Sequence, residues 1–184
     1  FWNHGSSRGC TPTFGGIKGR EPFEMAFETQ LHTETATRSN TPLTIASVDY
    51  QKYFDSFHVP FTAKLLKMLG LPPMLVDMWE HMYSGLNRTI NIGKHVGEAF
   101  HPTDGIGQGD SMSIIPAIAL VSLQFDFLSA VAPQVDKAAC IDDRIFRGPR
   151  EEVVKVLRLA AAFDSACGQK LRSDKTSVGS TNGA

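Results

Sequence analysis

The 184-residue chain is poor in cysteine, in long unbroken apolar runs and in surplus basic charge. Its three cysteines, Cys10, Cys140 and Cys167, form no Cys-x-x-Cys pair, so neither a disulfide framework nor a zinc site is expected. We therefore predict an intracellular protein of a reducing compartment, either the cytoplasm or the nucleus.

Targeting and membrane signals are also missing from the sequence. No basic segment followed by an apolar stretch opens the chain, so no signal peptide is expected. The longest apolar run, 114–128, is broken by Pro116, Gln124 and Asp126, which predicts a buried helix and no membrane partner. The first residue is Phe1 and not Met, which indicates a fragment or a processed product.

Net charge is −1, from 18 basic and 19 acidic residues. Proteins that bind nucleic acid on their own usually carry a basic excess, because phosphate contacts supply most of the non-specific affinity. The balance therefore counts against a self-sufficient nucleic-acid binder. The last third of the chain does carry scattered basic residues, which fit either an ordinary solvated surface or a binding face. They are Arg144, Arg147, Arg150, Lys155, Arg158, Lys170, Arg172 and Lys175.

Length and a 42% hydrophobic content predict a single domain with one buried core. Residues 1–19 are predicted as loop. Helices are predicted at 21–36, 60–69, 74–83, 114–133 and 150–166, strands at 43–48, 135–141, 145–146 and about 176–178, and a hairpin at 88–100. The strands at 135–141 and 145–146 are predicted to be joined by a turn at Asp142 and Asp143. This mixed order predicts an α+β fold, with helices packed on one face of a largely antiparallel sheet.

The first predicted helix carries apolar residues at helical spacing. Phe23, Ala26, Phe27 and Leu31 recur on one side of it, which predicts a buried stripe.

Aspartates stand at the ends of two predicted strands. Asp49 follows the strand at 43–48, and Asp142 and Asp143 follow the one at 135–141. Carboxylates about 4 Å apart repel by roughly 4 kcal/mol at an effective dielectric of about 20, so such a cluster needs protons, water or a metal ion. Oxygen ligands of this kind favour Mg²⁺ or Mn²⁺. The alternative is ordinary turn chemistry, in which adjacent aspartates are common.

A glycine-rich loop lies between these aspartates in the sequence. Residues Gly105 to Gly109 include Gln108, a pattern that suits a nucleotide placed close to the backbone. From spacing alone, Asp110 is predicted to start a helix and Phe54 to pack in the core.

Three segments, in this order and spacing, resemble the palm of reverse transcriptases of the non-LTR retroelement and group II intron type. They are DYQKYFD at Asp49 to Asp55, GIGQGDSMS at Gly105 to Ser113 and CIDD at Cys140 to Asp143. A fourth segment, Cys167 to Thr176, resembles a conserved glycine- and lysine-containing segment of that family. The resemblance extends from about Gly15 to Gly179.

The resemblance implies an RNA-directed DNA polymerase core that comprises the palm and part of the fingers, without a thumb. It implies that Asp49, Asp142 and Asp143 are catalytic and hold two Mg²⁺ (or Mn²⁺) ions. It implies an RNA template, a DNA primer and a bound dNTP. The implied nucleotide-binding residues are Tyr50, Phe54, Gln108, Gly109 and Lys175.

Two of these implied roles compete with simpler interpretations. Phe54 falls where the family places an aromatic steric gate under the sugar, which would select deoxynucleotides. Lys175 would approach the phosphates of the nucleotide, or would be a solvated surface lysine.

The sequence departs from the family pattern at four positions. Tyr53 replaces an alanine, Ile114 a proline, Cys140 a tyrosine, and Arg144 stands where an apolar residue is commoner. These departures leave open a decayed retroelement remnant, or an RNA-binding scaffold that retains the palm. An RNA-dependent RNA polymerase is disfavoured by Phe54 and by the missing Gly-Asp-Asp form.

Overall fold

The structure is a computed structural model, and it describes residues 13–181. Its helices are Pro22–Arg38 (α1), Val59–Met68 (α2), Pro73–Ser84 (α3), Ile114–Val131 (α4) and Arg150–Ala166 (α5). Its strands are Thr13–Phe14 (β1), Thr44–Val48 (β2), Asn91–Ile92 (β3), His95–Val96 (β4), Asp136–Cys140 (β5), Asp143–Gly148 (β6) and Ser177–Ser180 (β7). The loop predicted at 1–19 is therefore replaced by a short strand at 13–14, and its first 12 residues lie outside the described part.

Five strands form the central sheet, in the order β1-β5-β6-β2-β7. All neighbours in it are antiparallel except β1 and β5, which are parallel. Strands β3 and β4 form a separate hairpin, closed at its base by a bridge between Arg88 and Phe100. The predicted α+β architecture with a largely antiparallel sheet is confirmed.

The main core lies between one face of this sheet and helices α2 to α5. Ala46 and Phe146 of the sheet pack there with Trp79 of α3 and Phe125 of α4. By length and composition, the segment Ser111–Val131 could cross a membrane. Its helix instead contributes to this core, as predicted for a buried helix.

Helix α1 lies against the opposite face of the sheet, over β5 and β6. Its Met25 packs in a small cluster with Phe14 and Ala138. The predicted buried stripe on this helix is wrong, because Phe23, Phe27 and Leu31 are among its exposed residues and Phe23 is 76% exposed.

A buried arginine explains why α1 turns its polar side to the sheet. Arg147 of β6 is almost fully buried under this helix. It donates to the Thr29 hydroxyl at 3.1 Å and pairs with Glu28 at 3.6 Å and with Asp136 at 2.7 Å. Because a buried charge is costly without partners, Glu28 and Thr29 of α1 face Arg147, beside the buried Met25. The predicted apolar stripe lies on the other side of the helix and remains exposed.

On the core side of the sheet, five residues form what we call the buried polar cluster: Tyr50, Tyr53, Gln124, Arg144 and Asp164. Arg144 donates to Asp164 at 2.9 Å, to Gln124 at 2.6 Å and to the Tyr50 hydroxyl. Tyr50 donates to Asp164 at 2.8 Å, and so does the Gln124 amide.

The cluster keeps its arginine charged although it is fully buried. Burial alone would lower the pKa of Arg144, but Tyr50, Tyr53 and Asp164 together raise it above its ordinary value. For Tyr50 the effect of burial is the opposite, because it disfavours the charged phenolate and raises the pKa. This phenol therefore stays protonated and can donate to Asp164. The cluster thus contains one matched ion pair, Arg144 and Asp164.

The ion pair makes a prediction about stability. Arg144→Met should lower the free energy of unfolding by about 3–5 kcal/mol, because Asp164 would remain as an unpaired buried charge. Arg144→Met combined with Asp164→Leu should recover most of this loss, because no charge is then left without a partner. Urea unfolding of the three proteins measures both values. Additive losses in the double variant would contradict the pairing.

Candidate active site

The pairing of β2 with β6 brings two of the three predicted aspartates together. Val48 of β2 faces Arg144 of β6 in this antiparallel pair. The next position outward on β2 is Asp49, and on β6 it is Asp143. Facing side chains of an antiparallel pair have Cβ atoms about 4.5–5.5 Å apart. The two carboxylates are therefore neighbours across the strands.

Both carboxylates point away from the main core. Side chains alternate between the two faces of a strand, and Val48 and Arg144 are buried on the core side. Asp49 and Asp143 consequently lie on the other face, at an end of the sheet that α1 leaves open.

The third aspartate, Asp142, lies in the tight turn between β5 and β6. Cys140 pairs with Asp143, so the loop consists of Ile141 and Asp142 alone. The sequence analysis placed this turn one residue too late, because Asp143 already belongs to β6. Ile141 has a φ of 58°, which is unfavourable for a β-branched residue and stores about 1–3 kcal/mol of strain. Strain of this size is typical of functional turns.

The charges of the three aspartates influence one another. Partial burial, then the charges of Asp142 and Asp49, raise the pKa of the Asp143 carboxyl, while Lys175 lowers it. The ammonium of Lys175 lies 3.7 Å from the Asp49 carboxylate. The other oxygen of Asp49 accepts from the Tyr50 backbone N–H at 2.8 Å. A lysine therefore supplies part of the positive charge that this site needs.

The carboxylate oxygens of the three aspartates are ligands of the type that a divalent cation prefers. Mg²⁺ and Mn²⁺ prefer carboxylate oxygens. Partial burial, and after it the charges of Asp142 and Asp49, raise the pKa of Asp143, and a bound cation would offset the contribution of those charges. Among residues 13–181, however, no group of three or more His, Cys, Asp or Glu side chains is already arranged to hold a metal ion.

The glycine-rich loop packs against the segment that follows Asp49. The Gly105 N–H donates to the Phe57 carbonyl and the Ile106 N–H to the Phe54 carbonyl, both at 2.9 Å. Gly105 has a φ of 94°, and a Cβ there would lie 3.0 Å from the backbone of Asp55. Here glycine is required by close approach of two backbones.

The predicted nucleotide-binding residues of this loop are accessible. Gln108 is exposed, and so is Gly109, where a side chain would meet no atom within 4 Å. Phe54 is half-buried, edge-on to Tyr53 and stacked with Phe57. The individual contacts of these residues with a nucleotide stay predictions.

For Tyr50 the structure argues against the predicted nucleotide contact. Its side chain is 4% exposed, and its hydroxyl belongs to the buried polar cluster on the core side. The reason is the alternation of side chains along the chain, which turns Tyr50 inward directly after Asp49 turns outward. Only the backbone of Tyr50 faces the site.

Lys175 and its neighbours form a basic margin beside Asp49. The Arg172 N–H donates to the Asp49 carbonyl at 2.9 Å, which fixes the 171–176 segment next to the site. An open polar depression beside it is lined by Gln51, Lys52, Arg172 and Asp174. Arg172 is paired with Asp174 at 3.0 Å, so the net positive charge of this basic margin comes from Lys52 and Lys175.

The sequence analysis missed Tyr83, which anchors the glycine-rich loop from α3. Its hydroxyl donates to the Asp110 carboxylate, accepts from the Gly107 N–H at 3.0 Å and lies 3.1 Å from the Ser113 hydroxyl. Asp110 also accepts from the Met112 N–H at 3.0 Å, so it caps a short 3₁₀ turn, Ser111–Ser113, as its predicted helix-start role implies. Nothing in the helical pattern at 74–83 distinguished this tyrosine from a core residue.

An antiparallel sheet backed by helices, with acidic residues where two central strands end, defines the palm fold of polymerases. The comparisons with known proteins agree. The chain is 30% identical over 142 residues to the retrovirus-related Pol polyprotein from type-2 retrotransposable element R2DM of Drosophila melanogaster. The match covers 71% of this chain and 13% of that polyprotein. No protein-family model matches.

Solved telomerase structures share the fold. Telomerase from Candida tropicalis, in complex with the TWJ fragment of telomeric RNA, aligns with a TM-score of 0.69 over 96% of this chain and 31% of its own. The corresponding Candida albicans complex gives 0.71 over 91% and 32%. Both are 14% identical to this chain, which shows likeness of fold alone. Together with the polyprotein match, these findings identify the chain as a partial reverse-transcriptase-like domain.

The anchoring role of Tyr83 can be tested. The hydrogen bond from Tyr83, then that from the Met112 N–H, lowers the pKa of Asp110. Tyr83→Phe should therefore raise that pKa toward its ordinary value and speed amide exchange at Gly107. The stabilisation from this bond should be present at neutral pH and lost as pH falls through the lowered pKa, so wild type and variant should converge in acid. Carboxyl NMR titration and hydrogen exchange measure both effects; an unchanged Asp110 pKa would contradict the bond.

Proposed function

We propose that this chain is the palm, with part of the fingers, of an RNA-directed DNA polymerase. The observation that carries the proposal is the placement of Asp49 beside Asp143 by the β2–β6 register, with Asp142 in the adjoining turn. The fold, the family likeness and the exposure of Gln108 and Gly109 in the glycine-rich loop support it.

In the proposed reaction, the 3′-hydroxyl of a DNA primer attacks the α-phosphate of a dNTP and displaces pyrophosphate, with RNA as the template. Asp49, Asp142 and Asp143 would hold two Mg²⁺ ions, which stabilise the charge of the attacking and leaving oxygens when bound. The work left to the protein is positioning and electrostatic stabilisation.

The surroundings of the carboxylates suit the other parts of the substrate. Gln108 and Gly109 would border the nucleotide and its template partner, on the loop that Tyr83 and Gly105 hold in place. The basic margin would face the triphosphate, which carries several negative charges. Telomeric RNA in the Candida complexes is consistent with an RNA template here, although those proteins show likeness of fold alone.

Lys175 has a specific part in this proposal. Its ammonium sits beside Asp49, and its side chain is 57% exposed, so it can move at little cost. A cation that binds Asp49 would take over its neutralising role. Lys175 would then turn to the phosphates, where the resemblance places it.

Metal binding gives the direct test. Asp143→Asn should weaken Mn²⁺ binding, measured by electron paramagnetic resonance, and lower primer extension with dNTP on an RNA template on the order of 10²-fold. Asp126→Asn is the matched control, because Asp126 is an exposed aspartate on α4 and should change neither value. Absence of Mn²⁺ binding and of primer extension in the wild type would favour a non-catalytic scaffold. Unchanged Mn²⁺ binding and primer extension in Asp143→Asn would contradict the role of Asp143 as a metal ligand.

Phe54 makes a separate prediction about the sugar. If its ring blocks a 2′-hydroxyl, Phe54→Val should improve incorporation of rNTP relative to dNTP by at least about tenfold. Single-nucleotide extension with each substrate measures the ratio. Phe127→Val is the control, since it truncates another partly exposed ring, which stacks on Phe163 instead. A ratio unchanged in both variants would leave Phe54 as a packing residue only.

A further inference from the structure

Each strand end that carries a site aspartate is followed by a residue of the buried polar cluster. Tyr50 comes directly after Asp49, and Arg144 directly after Asp143. In both cases the aspartate faces the open side of the sheet and the next residue faces the core. On the core face, directly behind the two carboxylates, Tyr50 and Arg144 therefore lie side by side and contact each other.

The contact between these partners is close and has two parts. The Arg144 guanidinium lies over the Tyr50 ring, with its central carbon 4.2 Å from the ring centre, and it also donates to the Tyr50 hydroxyl. Both side chains then meet Asp164 of α5, whose two carboxylate oxygens accept from Arg144 and Tyr50. Any sliding of β2 along β6 would have to break this arrangement.

The same aspartate also fixes the third segment of the site. The Asp164 carbonyl accepts the backbone N–H groups of Cys167 at 3.0 Å and Gln169 at 2.8 Å, where α5 ends. From there the chain runs to Leu171, which forms a bridge with Tyr50, and on to Lys175. Asp164 thus connects β2 and β6 through its carboxylate, and it connects the segment that carries the lysine through its backbone carbonyl.

Stability alone does not account for such a cluster. A buried ion pair is often no more stabilising than well-packed apolar residues of similar volume, because desolvation offsets the attraction. Directional hydrogen bonds do, however, specify one relative position of the elements they join, which apolar packing does less strictly. The location of the cluster, directly behind the aspartates on the core face of the sheet, suits that second role.

Two departures from the reverse-transcriptase pattern belong to this cluster. Arg144 and Tyr53 contact each other: a guanidinium nitrogen lies 3.5 Å from the Tyr53 hydroxyl, and the guanidinium carbon lies 5.8 Å from the ring centre. The two unusual residues are therefore parts of one arrangement and not two independent changes.

We propose that Arg144 is a positioning residue, which locks the β2 and β6 ends through Tyr50 and Asp164 and so sets the spacing of Asp49 and Asp143. The spacing itself is a geometric claim about the chain. Its consequence for metal affinity rests on the proposed function.

The first test uses a charge-neutral pair of substitutions. Arg144→Met with Asp164→Leu removes the lock but leaves no unpaired charge, so the protein should remain folded. Mn²⁺ affinity should fall at least tenfold without a matching fall in melting temperature. The control is Arg147→Met with Asp136→Leu. Arg147 is the other buried arginine of β6, and this pair of substitutions removes its ion pair with Asp136 of β5, away from the site aspartates. Only the first pair should affect Mn²⁺ binding; equal affinity in both folded proteins would overturn the proposal.

A second variant covers the case in which the double substitution fails to fold. Arg144→Lys keeps a positive charge beside Asp164 but loses the planar group that stacks on Tyr50 and bonds several partners at once. A folded Arg144→Lys protein should also bind Mn²⁺ at least tenfold more weakly. Wild-type affinity in this variant would overturn the proposal.

A cross-linking test does not depend on metal. Asp49→Cys and Asp143→Cys, in a background with Cys10, Cys140 and Cys167 changed to Ser, should oxidise readily to a disulfide, because facing strand residues meet the required Cα separation of about 4.4–6.8 Å. Adding Arg144→Lys should slow the oxidation at least tenfold, and equal rates would overturn the proposal. If the wild type binds no Mn²⁺, the proposed function fails, and the cross-linking rate alone decides whether Arg144 sets the spacing.

Discussion

The antiparallel pairing of β2 with β6, in the register that sets Val48 against Arg144, is the constraint on which the site depends. Asp49 and Asp143 are 94 positions apart in the sequence, and this register makes them neighbours. Because side chains alternate along a strand, a slip of β2 by one residue would turn all of its side chains over, so that Asp49 would face the core and Ala46 and Val48 would face outward. The core residues Ala46, Val48 and Phe146 therefore enforce the same register that the carboxylates require.

The two faces of the sheet consequently serve different purposes at one end. On the open face, partial burial and then the negative charges of Asp142 and Asp49 raise the pKa of Asp143. The core face holds the matched pair of Arg144 and Asp164, which fixes the strands without adding net charge. Repulsion on one side would push the strand ends apart, and the hydrogen bonds on the other side oppose that separation. Lys175 further reduces the repulsion from the side of the basic margin.

How far the sequence predicted this arrangement depends on the distance over which each signal acts. Local signals worked: the helix at 150–166 has the predicted bounds, with Glu151 and Glu152 in its first turn. The convergence of the strand-end aspartates also followed from pattern, since strands of one sheet can bring their ends together. Contacts between distant segments could not be predicted from these local patterns. The apolar stripe of α1 was misplaced because its orientation is decided by Arg147, more than a hundred residues further on, and the role of Tyr83 depends on a loop that no helical periodicity describes.

The same distinction between local signals and distant contacts applies to Arg144. In the sequence alone, this departure from the family pattern favoured a decayed retroelement remnant. A charged residue that drifts into a core without selection has no reason to meet a carboxylate, and an unpaired buried charge is strongly destabilising. Arg144 instead meets Asp164 from one helix and Gln124 from another, together with the two tyrosines that follow Asp49. Only its Nε atom is buried without a partner. Since several residues on separate elements must match for this cluster to exist, the departure at Arg144 is better explained as a maintained feature of the fold than as the loss of one.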